Sequence, residues 1–194
     1  MVSENKKILV HTCCTACASH VFSELTKAGF TPIAWFYNPQ IDSLEEYAKR
    51  LWDLEKYCEE NEIKLIIPEH EIAEFTNSIA PYKDKESLKY ISDHDRYQRR
   101  RCQLCNSLLI QRMIEQAKKM KASFFTTSML CSPYKNHDEI IEVANEKALD
   151  YNLNFYYQDF RKGFWMGRNY ARNHSVYVSS FCGCAESKKE RRLE

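Results

Sequence analysis

The sequence predicts an α/β domain in which helices cover both faces of a mostly parallel sheet. Short apolar runs recur along the chain, and stretches with helical periodicity separate them. This alternation is typical of a parallel sheet, because a crossover between parallel strands needs a helix-length connection. The 194 residues, 44% of them hydrophobic, suffice for one packed domain. We therefore expect a single α/β domain over 1–194, with its ligand site at the carboxyl edge of the sheet.

The first half of the chain contains three predicted strands, each followed by a predicted helix. The run KKILVH predicts a buried strand, and the helix that follows ends at Gly29. Ser43 can cap the second helix, because its hydroxyl can accept a bond from a free N–H group of the first turn. In order, the predicted elements are a strand at 6–11, a helix at 16–28, a strand at 31–37, a helix at 44–61, a strand at 63–67 and a helix at about 70–79. The apolar face of the helix at 44–61 consists of Leu44, Tyr47, Leu51, Leu54 and Cys58.

A polar segment at 83–101 separates the two halves, and we expect it to be an exposed excursion before a helix. The helix after it carries an apolar stripe at approximately helical spacing. The remaining predicted elements are a helix at 102–120, a strand at 122–127, a helix at 136–152 and a strand at 153–160. The tail at 160–194 is expected to be irregular or helical and to complete the site.

Charge and hydropathy restrict the classes of partner. The net charge is +1, so any nucleic-acid binding depends on a local basic patch. No apolar run approaches the about 20 residues of a membrane-spanning helix. The first residues, MVSENKK, lack the apolar segment of a signal peptide. We therefore expect a cytoplasmic protein without a membrane partner.

Nine cysteines are the most informative part of the composition. An odd number in a reducing compartment argues against a disulfide framework and favours metal binding or redox catalysis. We interpret Cys58 as a core residue, and Cys131 as core or as support behind the site. The other seven form three groups: Cys13, Cys14 and Cys17; Cys102 and Cys105; Cys182 and Cys184.

Topology predicts that the three groups of cysteines meet. The first group follows the first strand, the second begins the helix before the fourth strand, and the third follows the last strand, so all lie at the carboxyl edge. Helix N-termini favour the thiolate form that binds metals. Seven thiols exceed the four ligands of zinc or of an iron–sulfur cluster. The surplus indicates a second metal or a dithiol that passes electrons.

The order of motifs resembles the QueH-type epoxyqueuosine reductases. The motifs that carry the resemblance are CCTAC (13–17), CQLC (102–105), TTSMLCSPYKN (126–136), DFRK (159–162) and CGC (182–184). The resemblance implies a Rossmann-like sheet of the adenine-nucleotide α-hydrolase (HUP) type. It also implies that HTCCTAC replaces the pyrophosphate-binding loop of ATP-using relatives.

The resemblance further implies an activity and a set of ligands. The expected activity is a cobalamin-independent, two-electron reduction of epoxyqueuosine to queuosine at the tRNA wobble position. Its implied partners are a tRNA with a queuosine-type anticodon nucleoside and an external electron donor. A [4Fe–4S] cluster would be held by Cys13, Cys14, Cys102 and Cys105, while Cys17 would replace one ligand or hold a second, mononuclear iron. Cys182 and Cys184 would form the redox-active dithiol, which closes to a disulfide.

For the other candidate residues, a structural role is the alternative to a functional one. His11 is either a strand-end histidine or a proton donor, and Asp159 is either a loop cap or a general acid. The basic segment 96–101 could contact tRNA through Tyr97, Arg99 and Arg100, and Lys135 and Arg161 could add to that patch. The alternative for 96–101 is a solvated charged face, because SDHD precedes it.

Three departures from the family pattern keep other functions open. Ala16 stands where proline is usual, RRRC replaces a Glu-Gly before the C-x-x-C, and YVSSF replaces a Tyr-Arg-Gln ending before CGC. One alternative is a related iron–sulfur enzyme that acts reductively on another modified tRNA base. A second is a non-catalytic, zinc-stabilised nucleic-acid-binding module. A third is a thiol–disulfide oxidoreductase that uses Cys14 and Cys17.

Overall fold

The fold is built on a five-stranded sheet in which all strands are parallel. We describe it from a computed structural model, over residues 6–79 and 100–191. The strand order is β3-β2-β1-β4-β5. The strands are β1 (Lys6–His11), β2 (Phe30–Trp35), β3 (Lys64–Ile66), β4 (Phe124–Thr127) and β5 (Asn154–Phe155). This order equals the first five strands of the Rossmann arrangement, which confirms the predicted fold class.

Seven α-helices connect or follow these strands in the described residues. They are α1 (Thr15–Lys27), α2 (Leu44–Glu60), α3 (Ile72–Ile79), α4 (Arg100–Lys119), α5 (His137–Leu149), α6 (Phe164–Asn173) and α7 (Ala185–Glu190). Helix α1 packs against α2 and α6, whereas α4 packs against α3 and α5. Right-handed crossovers place these two groups on opposite faces of the sheet. None of these helices has the length and apolar character needed to cross a bilayer.

The central strand shows why the fold has two covered faces. Ile8, Leu9 and Val10 are consecutive, and all three are fully buried. A strand exposed on one face would alternate apolar and polar residues, so this continuous run requires helices on both sides. Phe22 of α1 and Ile110 of α4 belong to the same core.

The chain changes direction across the sheet between β1 and β4. The chain leaves β1 toward β2 and β3, and later returns to add β4 and β5 on the other side. The last residues of β1, β2 and β4 are level, since His11 of β1 pairs with Trp35 of β2 and with Thr127 of β4. Diverging connections open a crevice at such a switch point, outside the carboxyl ends of the strands. The cysteine turn after β1 lies in this position.

Several element boundaries differ from the sequence prediction. Arg100 and Arg101 are helical residues of α4 and not part of an irregular excursion; residues 83–99 lie outside the described part of the chain. The last strand contains only Asn154 and Phe155, because it pairs with β4 alone and over two residues. The predicted cap is confirmed: Ser43 Oγ accepts a hydrogen bond from the Glu46 N–H at 3.3 Å.

Candidate metal centre

Three thiols crowd the turn between β1 and α1. The Sγ atoms of Cys13, Cys14 and Cys17 all lie within 4.8 Å of one another, and those of Cys13 and Cys14 are 4.0 Å apart. Cys14 is the N-cap of α1 in an extended conformation, and its side chain makes no capping hydrogen bond. The turn thus directs adjacent cysteines to one place, as a shared metal ligand set requires.

Bonds from neighbouring strands hold this turn in place. The Cys13 N–H donates to Ser128 Oγ at 3.2 Å, and the Ser128 hydroxyl lies 3.5 Å from Cys13 Sγ. On the other side, Asn38 Nδ2 donates to the Thr12 carbonyl oxygen at 2.9 Å. Because Asn38 follows β2 and Ser128 follows β4, the turn is anchored across the switch point.

Hydrogen bonds among the three thiols shift their pKa values in opposite directions. Hydrogen bonds from Cys14 and Cys17 lower the pKa of Cys13 well below its ordinary value. The same bonding raises the pKa of Cys14 to about 12 and raises that of Cys17. These shifts favour ionisation of Cys13 over that of Cys14 and Cys17. A metal that takes all three as ligands must displace the remaining protons, so binding releases protons.

Cys102 and Cys105 lie in the first turns of α4 and are half-buried. Burial raises the pKa of Cys102, and it raises that of Cys105 to about 12. The positive charges of Lys135 and Arg101 oppose this effect without cancelling it. These thiols are neutral at physiological pH unless a metal ionises them.

Lys135 lies within electrostatic range of all three groups of cysteines. Its burial disfavours the ammonium, but negative charge on nearby thiols raises its pKa above the ordinary value. The thiols responsible are Cys182, Cys105, Cys102 and Cys13, which represent all three groups. Lys135 Nζ also donates to Asn106 Oδ1 at 3.3 Å. Asn106 is buried and in turn donates to Glu139 Oε1 at 2.9 Å, so the position of the ammonium is fixed.

The CGC segment presents a close pair of thiols. Cys182 Sγ and Cys184 Sγ are 3.5 Å apart, and both sulfurs are free. A hydrogen bond from Cys184 lowers the pKa of Cys182 and raises that of Cys184. Ser187 lies 3.1 Å from Cys182 Sγ, and its N–H donates to Cys184 Sγ at 3.4 Å. This hydrogen bond therefore favours the thiolate at Cys182 over that at Cys184, and the thiolate is the form that attacks in thiol–disulfide exchange.

Glycine is required between these two cysteines. Gly183 has φ +113°, a region that side-chain-bearing residues rarely adopt. A Cβ atom at this position would lie 2.6 Å from Cγ1 of Ile41. The N–H of Asp42 also donates to the Gly183 carbonyl oxygen at 3.4 Å. The dithiol segment is thus packed against the loop that follows β2.

Arg50 of α2 is a site residue that the sequence analysis did not identify. Its side chain is 3% exposed. Its guanidinium donates to Ser179 Oγ at 2.7 Å, to the Phe181 carbonyl at 3.1 Å and to the Cys182 carbonyl at 3.4 Å. Negative charge on Cys14 also raises the pKa of Arg50. Arg50 therefore lies between the first and third groups of cysteines.

Glu46, one helical turn before Arg50, completes this buried network. Its carboxylate forms an ion pair with Arg50 at 2.6 Å, and Tyr177 donates to its other oxygen at 2.6 Å. Burial alone would raise the pKa of Glu46, but the bond from Tyr177 and the charge of Arg50 lower it. The four-residue spacing of a Glu and an Arg on a predicted helix was a signal for an ion pair, although both residues lie beside the predicted apolar stripe and not within it.

His11 has both ring nitrogens engaged. Nδ1 lies 2.9 Å from Thr127 Oγ1, and Nε2 lies 3.1 Å from the Tyr37 carbonyl oxygen. A carbonyl can only accept, so Nε2 carries the proton and Nδ1 accepts from the Thr127 hydroxyl. Burial also lowers the pKa of His11, which keeps the ring neutral. This geometry favours a satisfied strand-end histidine over a proton donor.

Asp159 and Arg161 bond to each other. Asp159 Oδ1 accepts from the N–H and Nε of Arg161 at 3.0 and 2.8 Å, and Oδ2 accepts from Nη2 at 2.6 Å. These bonds lower the pKa of Asp159 to about 2. An ionised carboxylate has no proton to donate, so the geometry favours the loop cap over the general acid.

The basic segment before CQLC is described only in part. Tyr97 and Arg99 lie outside the described residues, as does the side chain of Arg100. Arg101 is buried and forms an ion pair with Glu190 of α7 at 2.8 Å. This pair joins the start of α4 to the helix that follows CGC, so Arg101 supports the site rather than an RNA phosphate.

The two remaining cysteines are fully or nearly fully buried. Cys58 is 3% exposed in the core, and burial raises its pKa to about 12. Cys131 is 0% exposed, and it is a hydrogen-bond partner of Cys17. Cys131 therefore lies directly behind the first group, in agreement with the supporting position expected for it.

The fold and the site together define a class of protein. It is the class of Rossmann-like α/β proteins whose switch-point crevice carries a cluster of cysteines fit to bind a metal. The family model described as epoxyqueuosine reductase QueH matches residues 8–190, and the chain belongs to this family.

Similar proteins support this assignment. One named epoxyqueuosine reductase QueH, from Thermotoga maritima, is 29% identical over 187 residues, which cover 95% of this chain and 92% of that protein. Another of the same name, from Dehalococcoides mccartyi, is 26% identical over 186 residues, covering 95% and 94%. A solved structure of the U34-tRNA thiolase NcsA from Methanococcus maripaludis, with its [4Fe-4S] cluster, overlays with a TM-score of 0.41 at 16% identity. That overlay covers 88% of this chain and 67% of the thiolase, a similarity too low to carry a functional argument.

Proposed function

We propose that this protein is an oxidoreductase of queuosine biosynthesis that reduces epoxyqueuosine in tRNA to queuosine. The observation that carries the proposal is the close grouping of Cys13, Cys14 and Cys17 at the switch point, together with the adjacent thiols of Cys182 and Cys184, in a chain of the QueH family. The seven clustered cysteines exceed what a structural metal needs. A metal centre combined with a separate dithiol explains the surplus.

We assign the metal ligands from the resemblance to the family, since among the described residues only Cys13, Cys14 and Cys17 lie close enough to share one metal ion. Cys13, Cys14, Cys102 and Cys105 hold a [4Fe–4S] cluster, and Cys17 replaces one ligand or holds a second, mononuclear iron. Support comes from the donor set, since soft thiolates suit iron–sulfur centres, and from the crowding of the first three sulfurs. When bound, such a cluster supplies electrons one at a time, and the reaction needs no cobalamin.

Cys182 and Cys184 act as the redox-active dithiol. Conversion of an epoxide to an alkene breaks both C–O bonds, forms the C=C bond and releases water, and it takes up two electrons and two protons. Closure of a dithiol to a disulfide releases two electrons and two protons, so one turnover balances. An external electron donor then reduces the disulfide. The 3.5 Å between the two sulfurs and the lowered pKa of Cys182 support this role.

Other residues position the reactants. Lys135 presents its ammonium to a substrate oxygen, because Asn106 holds it among the thiols. Arg50 fixes the backbone of Phe181 and Cys182 and so aims the dithiol. The substrate partner is a tRNA with a queuosine-type anticodon nucleoside, and the reaction takes place in the cytoplasm without a membrane partner.

The test combines metal analysis with turnover. Protein purified without oxygen should contain about four irons and four acid-labile sulfides per chain and show a broad visible band. Cys13→Ser and Cys102→Ser should lose this content, whereas Cys182→Ser should keep it and lose turnover on epoxyqueuosine-containing tRNA. Cys58→Ala is the matched control, since this cysteine is buried in the core away from the switch point, and it should keep both.

Other results would redirect the assignment. One zinc per chain without sulfide or colour would replace the reductase with a zinc-stabilised nucleic-acid-binding module. Normal turnover by Cys182→Ser would remove the dithiol from the mechanism. An intact cluster with no activity on epoxyqueuosine would point to reductive chemistry on another modified tRNA base. Extra iron without extra sulfide would place a mononuclear iron at Cys17.

A further inference from the structure

Three aromatic rings lie next to the candidate metal centre. They belong to Tyr134, Phe164 and Trp165, and we call them the aromatic surface. Tyr134 is 44% exposed and Trp165 is 67% exposed. The rings of Tyr134 and Phe164 meet edge to face with centroids 5.8 Å apart, and those of Phe164 and Trp165 are 5.3 Å apart. A folded protein rarely exposes large aromatic rings in one place without a binding partner.

Two guanidinium groups lie over these rings. Arg168 is 5.5 Å from the centroid of Phe164, and Arg191 is 5.2 Å from the centroid of Tyr134. Arg191 is exposed. Arginine and aromatic faces side by side form the combination that binds single-stranded nucleic acid, in which bases stack and phosphates pair. An acidic protein would be attracted by the arginines but would not require exposed aromatic faces.

The aromatic surface is continuous with the metal centre. Tyr134 immediately precedes Lys135, and Arg191 ends the helix that begins after Cys184. Helix α6, which carries Trp165, packs tightly on α1: a Cβ atom at Gly167 would lie 1.8 Å from the Ala16 carbonyl oxygen. The surface is therefore held at a fixed position beside the thiol turn that begins α1.

We propose that the aromatic surface binds the unpaired nucleotides next to the target nucleoside in the anticodon loop. Bases stack on Tyr134 and Trp165, and Arg168 and Arg191 contact the adjoining phosphates. Recognition of unpaired bases by stacking is typical of proteins that bind RNA loops. The inference rests on the proposed function, because it takes the RNA substrate from there and adds where and how that RNA is held.

Binding and its salt dependence test the two kinds of contact separately. The probe is a fluorescent anticodon stem-loop with guanosine at the wobble position, and the dissociation constant is measured by anisotropy with the full chain. Trp165→Ala, whose side chain is exposed and so not needed for folding, should weaken binding by about 5- to 100-fold and leave the salt dependence unchanged. Arg168→Gln should reduce the slope of log K against log salt by about 0.7, the value for one phosphate contact on a single strand.

Two matched controls exist on the same chain. Trp52 on α2 is 73% exposed, so Trp52→Ala removes an equally exposed ring from another helix. Lys118 lies 5.1 Å over the ring of Tyr151 near the end of α4, far along that helix from Cys102. Lys118→Gln therefore removes a similar cation–ring contact at the opposite edge of the sheet. Both control variants should bind the stem-loop within about twofold of the unchanged protein.

The outcomes separate this inference from the proposed function. If the protein reduces epoxyqueuosine in tRNA while Trp165→Ala and Arg168→Gln bind the stem-loop normally, the inference is wrong and the function stands. If the protein has no reductase activity but these variants lose stem-loop binding as expected, the inference stands and the function is wrong. Normal RNA binding combined with impaired reduction by a protein electron donor would overturn the inference in favour of a donor-docking surface.

Discussion

The buried ion pair between Glu46 and Arg50 should stabilise the fold far more than its exposed neighbour. The two pairs of α2, Glu46–Arg50 and Glu45–Lys49, have the same spacing along the helix. Side-chain exposure is 3% for Arg50 and 9% for Glu46, against 50% for Lys49. Replacing one partner of a buried pair leaves an uncompensated charge and costs about 3–5 kcal/mol, whereas water and salt screen an exposed pair so that it contributes little.

The comparison uses Arg50→Met and Lys49→Met, which remove the charge and keep apolar length. We expect the free energy of unfolding, from urea titration followed by circular dichroism, to fall by about 3–5 kcal/mol for Arg50→Met and by far less for Lys49→Met. The double variant Glu46→Gln/Arg50→Met should lose less free energy of unfolding than Glu46→Gln and Arg50→Met lose in sum, because it leaves no charge unpaired. Equal losses of free energy of unfolding for Arg50→Met and Lys49→Met would refute the reasoning.

Three further predictions concern the same site. Gly183→Ala should keep iron content and lower turnover by about 10- to 100-fold, since its Cβ would meet Ile41 and displace the dithiol; normal turnover in a single-turnover assay would contradict this. Because folding lowers the pKa of Glu46, its contribution to stability is present above the unfolded value of about 4.3 and is lost as pH falls through the lower folded value. Urea titrations at several pH values should therefore show that the free energy of unfolding falls less below about pH 4.3 for Glu46→Gln than for the unchanged protein. Arg101→Gln and Glu190→Gln should each reduce the free energy of unfolding by about 1–3 kcal/mol, and the double variant should lose little more; additive losses would exclude a specific pair.

The arrangement of the sheet could be predicted because its signals are local. A continuous apolar run such as 6–11 indicates a strand buried on both faces, and helix-length connections indicate parallel pairing. Once the fold class is known, topology predicts that the three groups of cysteines lie at one edge of the sheet, without knowledge of any contact. The length of β5 could not be predicted in this way, since it depends on how far Asn154 and Phe155 stay beside β4.

The charged part of the site could not be predicted from hydrophobic periodicity. Leu44 was placed on the apolar face of α2 but is 71% exposed, because the buried face is centred on Glu46, Arg50 and Leu54. A pattern that counts apolar residues treats a buried ion pair as surface. Arg101 was assigned to a polar excursion for the same reason, although Glu190, far along the chain, pairs with it.

The cations around the thiols have a consequence for electron transfer. Each cysteine that becomes a metal ligand gives up a proton and adds one negative charge. Lys135, Arg50 and Arg101 supply positive charge beside these sulfurs. In the proposed reductase an added electron would make the site more negative still, so nearby cations would stabilise the reduced form and raise the reduction potential of a bound cluster. The ammonium and guanidinium groups beside the cysteines would therefore also set how strong a reductant the proposed electron donor must be.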